Sequence, residues 1–243
     1  MRFMASSIMI FFLCITALRA DVHLIIYATY DGKTGHSGIA IDDYSVKVIE
    51  STRSGQRYYR YDTVYTGSLT YYDFWPLNDL YKGRYDGDVE PVYFKLPSSR
   101  WKQMISLKTL ADQGVPHKFG YACDGIISIP TSKQKDFELM EFLDKKIDIF
   151  RSFNSMEYNC CDFIVEALNH LTGKQIEAKE FIVIGFVTTP NELYKSISRW
   201  KDVVIVKDPG DKINGTFFHE RIITRLQPLL SIFKLLIIIP NSL

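Results

Sequence analysis

Cysteine is scarce in this chain, and neither sign of charge dominates. Four cysteines stand among 243 residues, with 29 Lys and Arg against 28 Asp and Glu. A net charge of +1 with no basic stripe gives nucleic acid no electrostatic footprint, so none is expected as a partner. No Cys-x-x-Cys pair and no His/Cys cluster has zinc-site spacing, so no metal is expected, and no motif asks for a cofactor. Apolar runs all fall short of the roughly 20 residues a spanning helix needs. Internal repeats and low-complexity linkers are absent too, which removes solenoids and tethered arrays.

What is present begins with an export signal in outline. Met1 to Ala20 offers Arg2, an apolar run from Ile8 to Ile15, and a small-residue exit at Ala17 to Ala20. An exported protein follows, periplasmic or secreted, with Cys14 lost alongside the signal. Residues 21–225 then suffice for one sizeable core and one domain. Fifteen tyrosines and sixteen phenylalanines suit a folded domain with aromatic grooves. Cys123, Cys160 and Cys161 remain, an odd number, so an exported chain keeps at least one unpaired thiol. A Cys123–Cys161 bridge with Cys160 free is one arrangement compatible with that count.

Tyr158 to Leu171 reads as an amphipathic helix that opens at a cysteine. Phe163, Ile164, Ala167, Leu168 and Leu171 recur at helical spacing, Asn159 suits the N-cap, Asp162 the first turn and Gly173 the exit. Cys160 then sits at the positive end of the helix dipole among unpaired N–H groups, an environment that favours a thiolate. A buried, inert cysteine is the alternative.

His36 to Ile41 and Val46 to Ser51 read as two strands of a hairpin, joined by a tight connection at Asp42 to Ser45. That folding would make His36 and Glu50 neighbours across the ladder, an imidazole beside the carboxylate that orients it. Further strands are expected over Val22–Thr29, Val89–Leu96 and Val203–Val206. Helices are expected from Ser98 to about Gln113, with Trp101, Met104, Ile105 and Leu110 inward, and from Ser132 to Phe150, with Phe137, Met140, Leu143 and Ile147 inward. Thr189-Pro190-Asn191-Glu192 carries the signature of another helix start, with Glu192 completing a capping box. The tyrosine-rich stretch after Arg53 suits either edge strands or a groove wall.

Gly35-His36-Ser37-Gly38-Ile39-Ala40-Ile41, Val48-Ile49-Glu50-Ser51 and Asn159-Cys160-Cys161-Asp162-Phe163 together resemble the circularly permuted papain-like group, which includes NlpC-related, YiiX-like and lecithin:retinol-acyltransferase-like proteins. Permuted members place the histidine strand first and the cysteine helix last. The resemblance spans roughly residues 22–173 and rests on these three motifs. It implies an α+β fold with an antiparallel sheet packed on the cysteine helix. It also implies a Cys160 nucleophile, a His36 base and a Glu50 orienter. Gly114-Val115-Pro116-His117 resembles a Gly-x-Pro-Tyr element, with His117 where tyrosine would stand. His117, Tyr121 and Asn159 are therefore accessory candidates, and His23, His117, His170 and His219 are rival bases, His117 the serious one. His170, on the cysteine helix itself, is nearly three turns from the thiol and too far to serve.

The activity implied is thiol-based hydrolysis of an amide in cell-envelope material through an acyl-enzyme. A lipid-directed acyl hydrolase or acyltransferase is the second reading, and a non-catalytic binding domain of the same fold the third. The segment 226–243 is strongly apolar around Leu229-Leu230 and Leu235 to Ile239. It would either pack on the domain or touch the membrane interface peripherally.

Overall fold

The computed structural model describes residues 20–31, 34–76, 91–96, 105–115, 121–149, 151–182 and 185–215. The signal-like segment, His117, His219 and the apolar segment 226–243 lie outside these residues. So do Trp101 and Met104.

The protein is a mixed α+β structure built on a six-stranded antiparallel sheet. The strands are β1 (Ala20–Tyr27), β2 (His36–Arg53), β3 (Gln56–Pro76), β4 (Pro91–Leu96), β5 (Gly125–Thr131) and β8 (Val204–Lys207), in the spatial order β4-β3-β2-β1-β5-β8. β6 (Lys179–Ile182) and β7 (Gly185–Thr188) form a separate two-stranded hairpin. Among the described residues four α-helices accompany them: α1 (Leu107–Asp112), α2 (Lys133–Asp148), α3 (Cys160–Thr172) and α4 (Pro190–Ser198).

β1 lies inside the sheet and is buried on both faces, which is why Val22 to Tyr27 lacks the alternation of a half-exposed strand. One face carries Val22, Leu24, Ile26, Ile39, Ile41, Tyr72, Phe74, Ile127 and Ile129 against the apolar faces of α2, α3 and α4. The other carries Ile25, Tyr27, Ala40, Leu69, Tyr71 and Ile126 against Ile105, Leu110, Val115 and Cys123. All three described cysteines are free; the sheet separates Cys123 from Cys161, so the Cys123–Cys161 bridge does not form.

The principal correction to the sequence reading concerns β2. His36 to Arg53 is one continuous strand of 18 residues, and Asp42-Tyr44 is a register irregularity within it rather than a turn. The turn falls at Ser54-Gly55, where both residues have positive φ (51° and 79°) and Arg53 pairs with Gln56, the backbone that a two-residue hairpin requires. Three smaller differences follow similar logic. β5, which pairs with β1, is not among the expected strands, although Ile126-Ile127-Ser128-Ile129 is rich in β-branched residues. α1 begins at Leu107, where Ser106 and Thr109 form a reciprocal capping box, and residues 98–104 of the expected helix lie outside the described residues. In α2, Leu143 is buried and Met140 and Ile147 pack against the core as expected, but Phe137 is exposed and Leu139 is buried instead. α4 starts as expected, with Thr189 capping Glu192 N–H, but the Glu192 carboxylate pairs with Lys195 at 2.8 Å.

Candidate active site

Cys160 is the first residue of α3. The Asn159 side chain accepts from the N–H groups of Cys161 (2.7 Å) and Asp162 (3.4 Å), and Asp162 accepts from the Asn159 N–H at 3.0 Å. Asn159 Nδ2 donates to the carbonyls of Ser155 and Thr188, both at 3.1 Å. Asn159 is thus a fully engaged cap that fixes where the helix begins. Phe163 N–H opens the intrahelical ladder on the Asn159 carbonyl, so the N–H of Cys160 is the first-turn donor that neither cap nor ladder uses.

His36 opens β2 at the same end of the sheet, and it is fully buried. Its Nε2–H donates to Asp73 Oδ2 at 2.9 Å, and Asp73 is fully buried too. The pairing register explains the contact. Gly38 lies opposite Asp73, so His36, two residues earlier on the same face, is the diagonal neighbour of that carboxylate. Continuing the register brings Trp75 to His36, where its ring packs edge-on at 4.6 Å between centroids. Tyr27 flanks the imidazole from β1 at 5.8 Å.

The glycines of the Gly35-His36-Ser37-Gly38 motif serve this packing. A Cβ on Gly38 would overlap the Tyr71 hydroxyl, and one on Gly35 would collide with Thr29 and the Tyr27 carbonyl. Tyr71 and Tyr27 are both buried within electrostatic range of the Asp73 carboxylate. Burial, then the charge of Asp73, pushes the Tyr71 phenol well above its ordinary range, so it stays protonated beside that carboxylate.

Asp73 occupies Nε2, which leaves His36 Nδ1, a buried atom with no hydrogen-bond partner among the described residues, as the basic nitrogen available to the thiol. His36 and Cys160 shift each other. Burial lowers the imidazole's affinity for a proton, but the Cys160 thiolate and then Asp73 outweigh it and hold the His36 pKa above its ordinary value. Cys160 is held well below the ordinary thiol range by a hydrogen bond from Cys161, against burial, and by the His36 charge and the Ser37 backbone N–H. Thiols are weak donors and the two sulfurs are 3.9 Å apart, so the imidazolium and the backbone N–H secure the direction of this shift. Cys161 is pushed the other way by burial and by the neighbouring thiolate, and it accepts from Ser37 Oγ at 3.3 Å. The two adjacent cysteines are therefore unequal, with Cys160 the one biased toward the thiolate.

Glu50 does not belong to this group. It lies fourteen residues along the same strand from His36, about 45 Å at strand rise, opposite Tyr59 and paired with exposed Arg57 at 3.3 Å. The carboxylate beside the imidazole is Asp73, in a stretch whose tyrosines stand out in the sequence more than its acids. Tyr121 is an exposed side chain, not a member of the buried set. His23 bonds Ser128 Oγ at 2.7 Å and approaches Asp42 at 3.4 Å, while His170 stacks on Phe142 at 4.2 Å. No family model, curated protein or solved structure matches the chain.

Proposed function

We propose that the protein is an exported thiol hydrolase with a permuted papain-like fold, acting on an amide bond of cell-envelope material through Cys160, His36 and Asp73. The observation that carries this reading is the buried Asp73–His36 pair at 2.9 Å, on strands that pack against the helix opening at Cys160, whose thiol is biased toward the thiolate. Cys160, itself buried at 7% exposure, is the least enclosed of the three, since His36 and Asp73 are fully buried. The Cys160 sulfur attacks the acyl carbon, and the Cys160 N–H stabilises the oxyanion that forms. The C–N bond then breaks as His36 Nδ1 gives its proton to the departing amine. Water, deprotonated by His36, releases the acyl group and regenerates the thiol. Asp73 holds the ring so that Nδ1 faces the chemistry and stabilises its charged form, acting as a positioning residue.

An activated acyl probe at neutral pH, followed by mass spectrometry of the labelled peptide, tests the proposal. Acylation is expected on Cys160, lost in Cys160→Ser and retained in Cys161→Ser. Label on Cys161 instead, or equal label on both, would contradict it.

A further inference from the structure

The β6–β7 hairpin stands apart from the main sheet and leads directly into the cysteine helix's surroundings. Thr188, the last residue of β7, bonds the Asp162 carboxylate through its hydroxyl and accepts from Asn159 through its carbonyl. Lys179 pairs with Thr188 and Phe181 with Phe186 in the hairpin register. The two phenyl rings are therefore two residues, about 7 Å, further out than the group that holds the cap of Cys160. They contact each other at 5.2 Å, edge to face, yet Phe181 is 68% and Phe186 62% exposed. The sequence from Phe181 to Val187 contains no side chain able to form a hydrogen bond.

We infer that this hairpin dips into a lipid interface and brings Cys160 to acyl substrates presented there. The inference rests on the thiol chemistry proposed above and narrows its substrate class. Three features favour lipid over a protein partner or a second copy. Two phenylalanines offer at most about 500 Å² of contact, well under the roughly 800 Å² per partner of a stable protein interface. Shallow insertion needs only apolar side chains, whereas a protein partner would be selected by polar groups that this stretch lacks. The described chain also ends at Gly215, whose carbonyl accepts from Asn191 of α4 at 2.7 Å beside Thr29 and Tyr30. That is the end of the sheet where His36 lies, and the sequence beyond it carries the largely apolar run Leu229 to Ile239. Within the hairpin Lys179 is offset by Glu180, so attraction is apolar and nearly independent of salt.

Co-sedimentation of the full chain with phosphatidylcholine vesicles provides the test, alongside Phe186→Trp in vesicles of brominated phosphatidylcholine. Phe181→Ser/Phe186→Ser is expected to lower partitioning by roughly tenfold or more. In Phe186→Trp the introduced indole's emission should shift to the blue and be quenched, whereas Phe137→Trp on exposed α2 should show neither effect. Unchanged sedimentation of the double variant, or an unquenched Phe186→Trp, overturns the inference. So does binding abolished by deletion of 227–243 but untouched by the double variant. Self-association lost in the double variant, with no vesicle binding in the wild type, would assign the surface to a second copy and also overturn it. Acyl labelling of Cys160 in solution is read separately: its absence would sink the thiol chemistry, whereas vesicle results bear on the hairpin.

Discussion

The β2–β3 ladder is buried where it joins the sheet, from His36 to Asp42 and from Ser68 to Phe74, and largely exposed from Ser45 out to Ser54-Gly55 and back to Val64. Both halves are regular antiparallel pairing with the same strands and the same hydrogen-bond pattern. The inner half is flanked by β1 and β4 and covered on both faces, so a carboxylate and an imidazole there are desolvated and strongly coupled. The outer half is a two-stranded arm with Val46, Val48, Tyr59 and Tyr61 in solvent. Its ion pairs, Glu50–Arg57 and Arg60–Asp62, are open to water and salt. An acidic residue on this hairpin gains chemical consequence from its depth, not from belonging to a motif.

The largest expected effect breaks the inner half at its base. His36→Ala should lower acylation of Cys160 at pH 7 by roughly 10²–10⁴-fold, because the thiolate loses its counter-charge and the leaving group its acid. Rates of simple alkylation should recover as pH rises, since Cys160 then titrates nearer an ordinary thiol. In the wild type, acyl turnover should rise through the depressed Cys160 pKa and fall through the raised His36 pKa, whereas alkylation should stay on its plateau above both. Turnover that falls on the acid side of the ordinary histidine value would contradict the ion pair.

A second comparison sets the two carboxylates of the ladder against each other. Asp73→Asn should lower acyl turnover on the order of 10²-fold and move its alkaline limb to lower pH, because the negative charge that holds the His36 proton is gone. Glu50→Gln should change turnover by less than about twofold, as expected of an exposed pair. Equal losses in both variants would mean that the fold, not the buried carboxylate, sets the rate.

Much of this arrangement is legible without coordinates. Cys160 at a helix start, Asn159 as its cap, Asp162 in the first turn and Gly173 at the exit are local signals, and each is found in place, with Asp162 also closing a capping box. His36 at the beginning of a strand is equally local. Asp73 is not legible, because it becomes the partner of His36 only through the register of two strands 37 positions apart. Glu50 misleads for a related reason. Asp42-Asp43-Tyr44-Ser45 is rich in turn formers, but Asp43 bonds Thr70 Oγ1 at 2.7 Å and Tyr44 reaches Asp136 on α2 at 2.7 Å, so the strand runs on through them. Tertiary anchoring overrules local turn chemistry there. The β6–β7 hairpin escapes a sequence reading because a short apolar stretch has no periodicity that distinguishes a strand from a buried helix segment.

Smaller effects sharpen the same contrast. Asn159→Ala should cost about 1–2 kcal/mol in unfolding free energy, since it removes the cap and leaves two first-turn N–H groups without it; chemical denaturation measures this directly. Replacing residues 46–63 by a two-residue Asn-Gly turn should remove the exposed arm, leave acyl labelling of Cys160 unchanged and shift Tm by less than about 5 °C. A large loss of labelling on excising the arm would show that the two halves are coupled and that the site extends beyond its buried end.

Titration of His36 by imidazole NMR in the wild type, Asp73→Asn and Glu50→Gln tests the proposed coupling of Asp73, His36 and Cys160 most directly. A wild-type pKa above the ordinary histidine value is expected, with a clear fall in Asp73→Asn and no change in Glu50→Gln. A His36 that titrates at or below its ordinary value, or that responds to Glu50 and not to Asp73, would contradict that coupling.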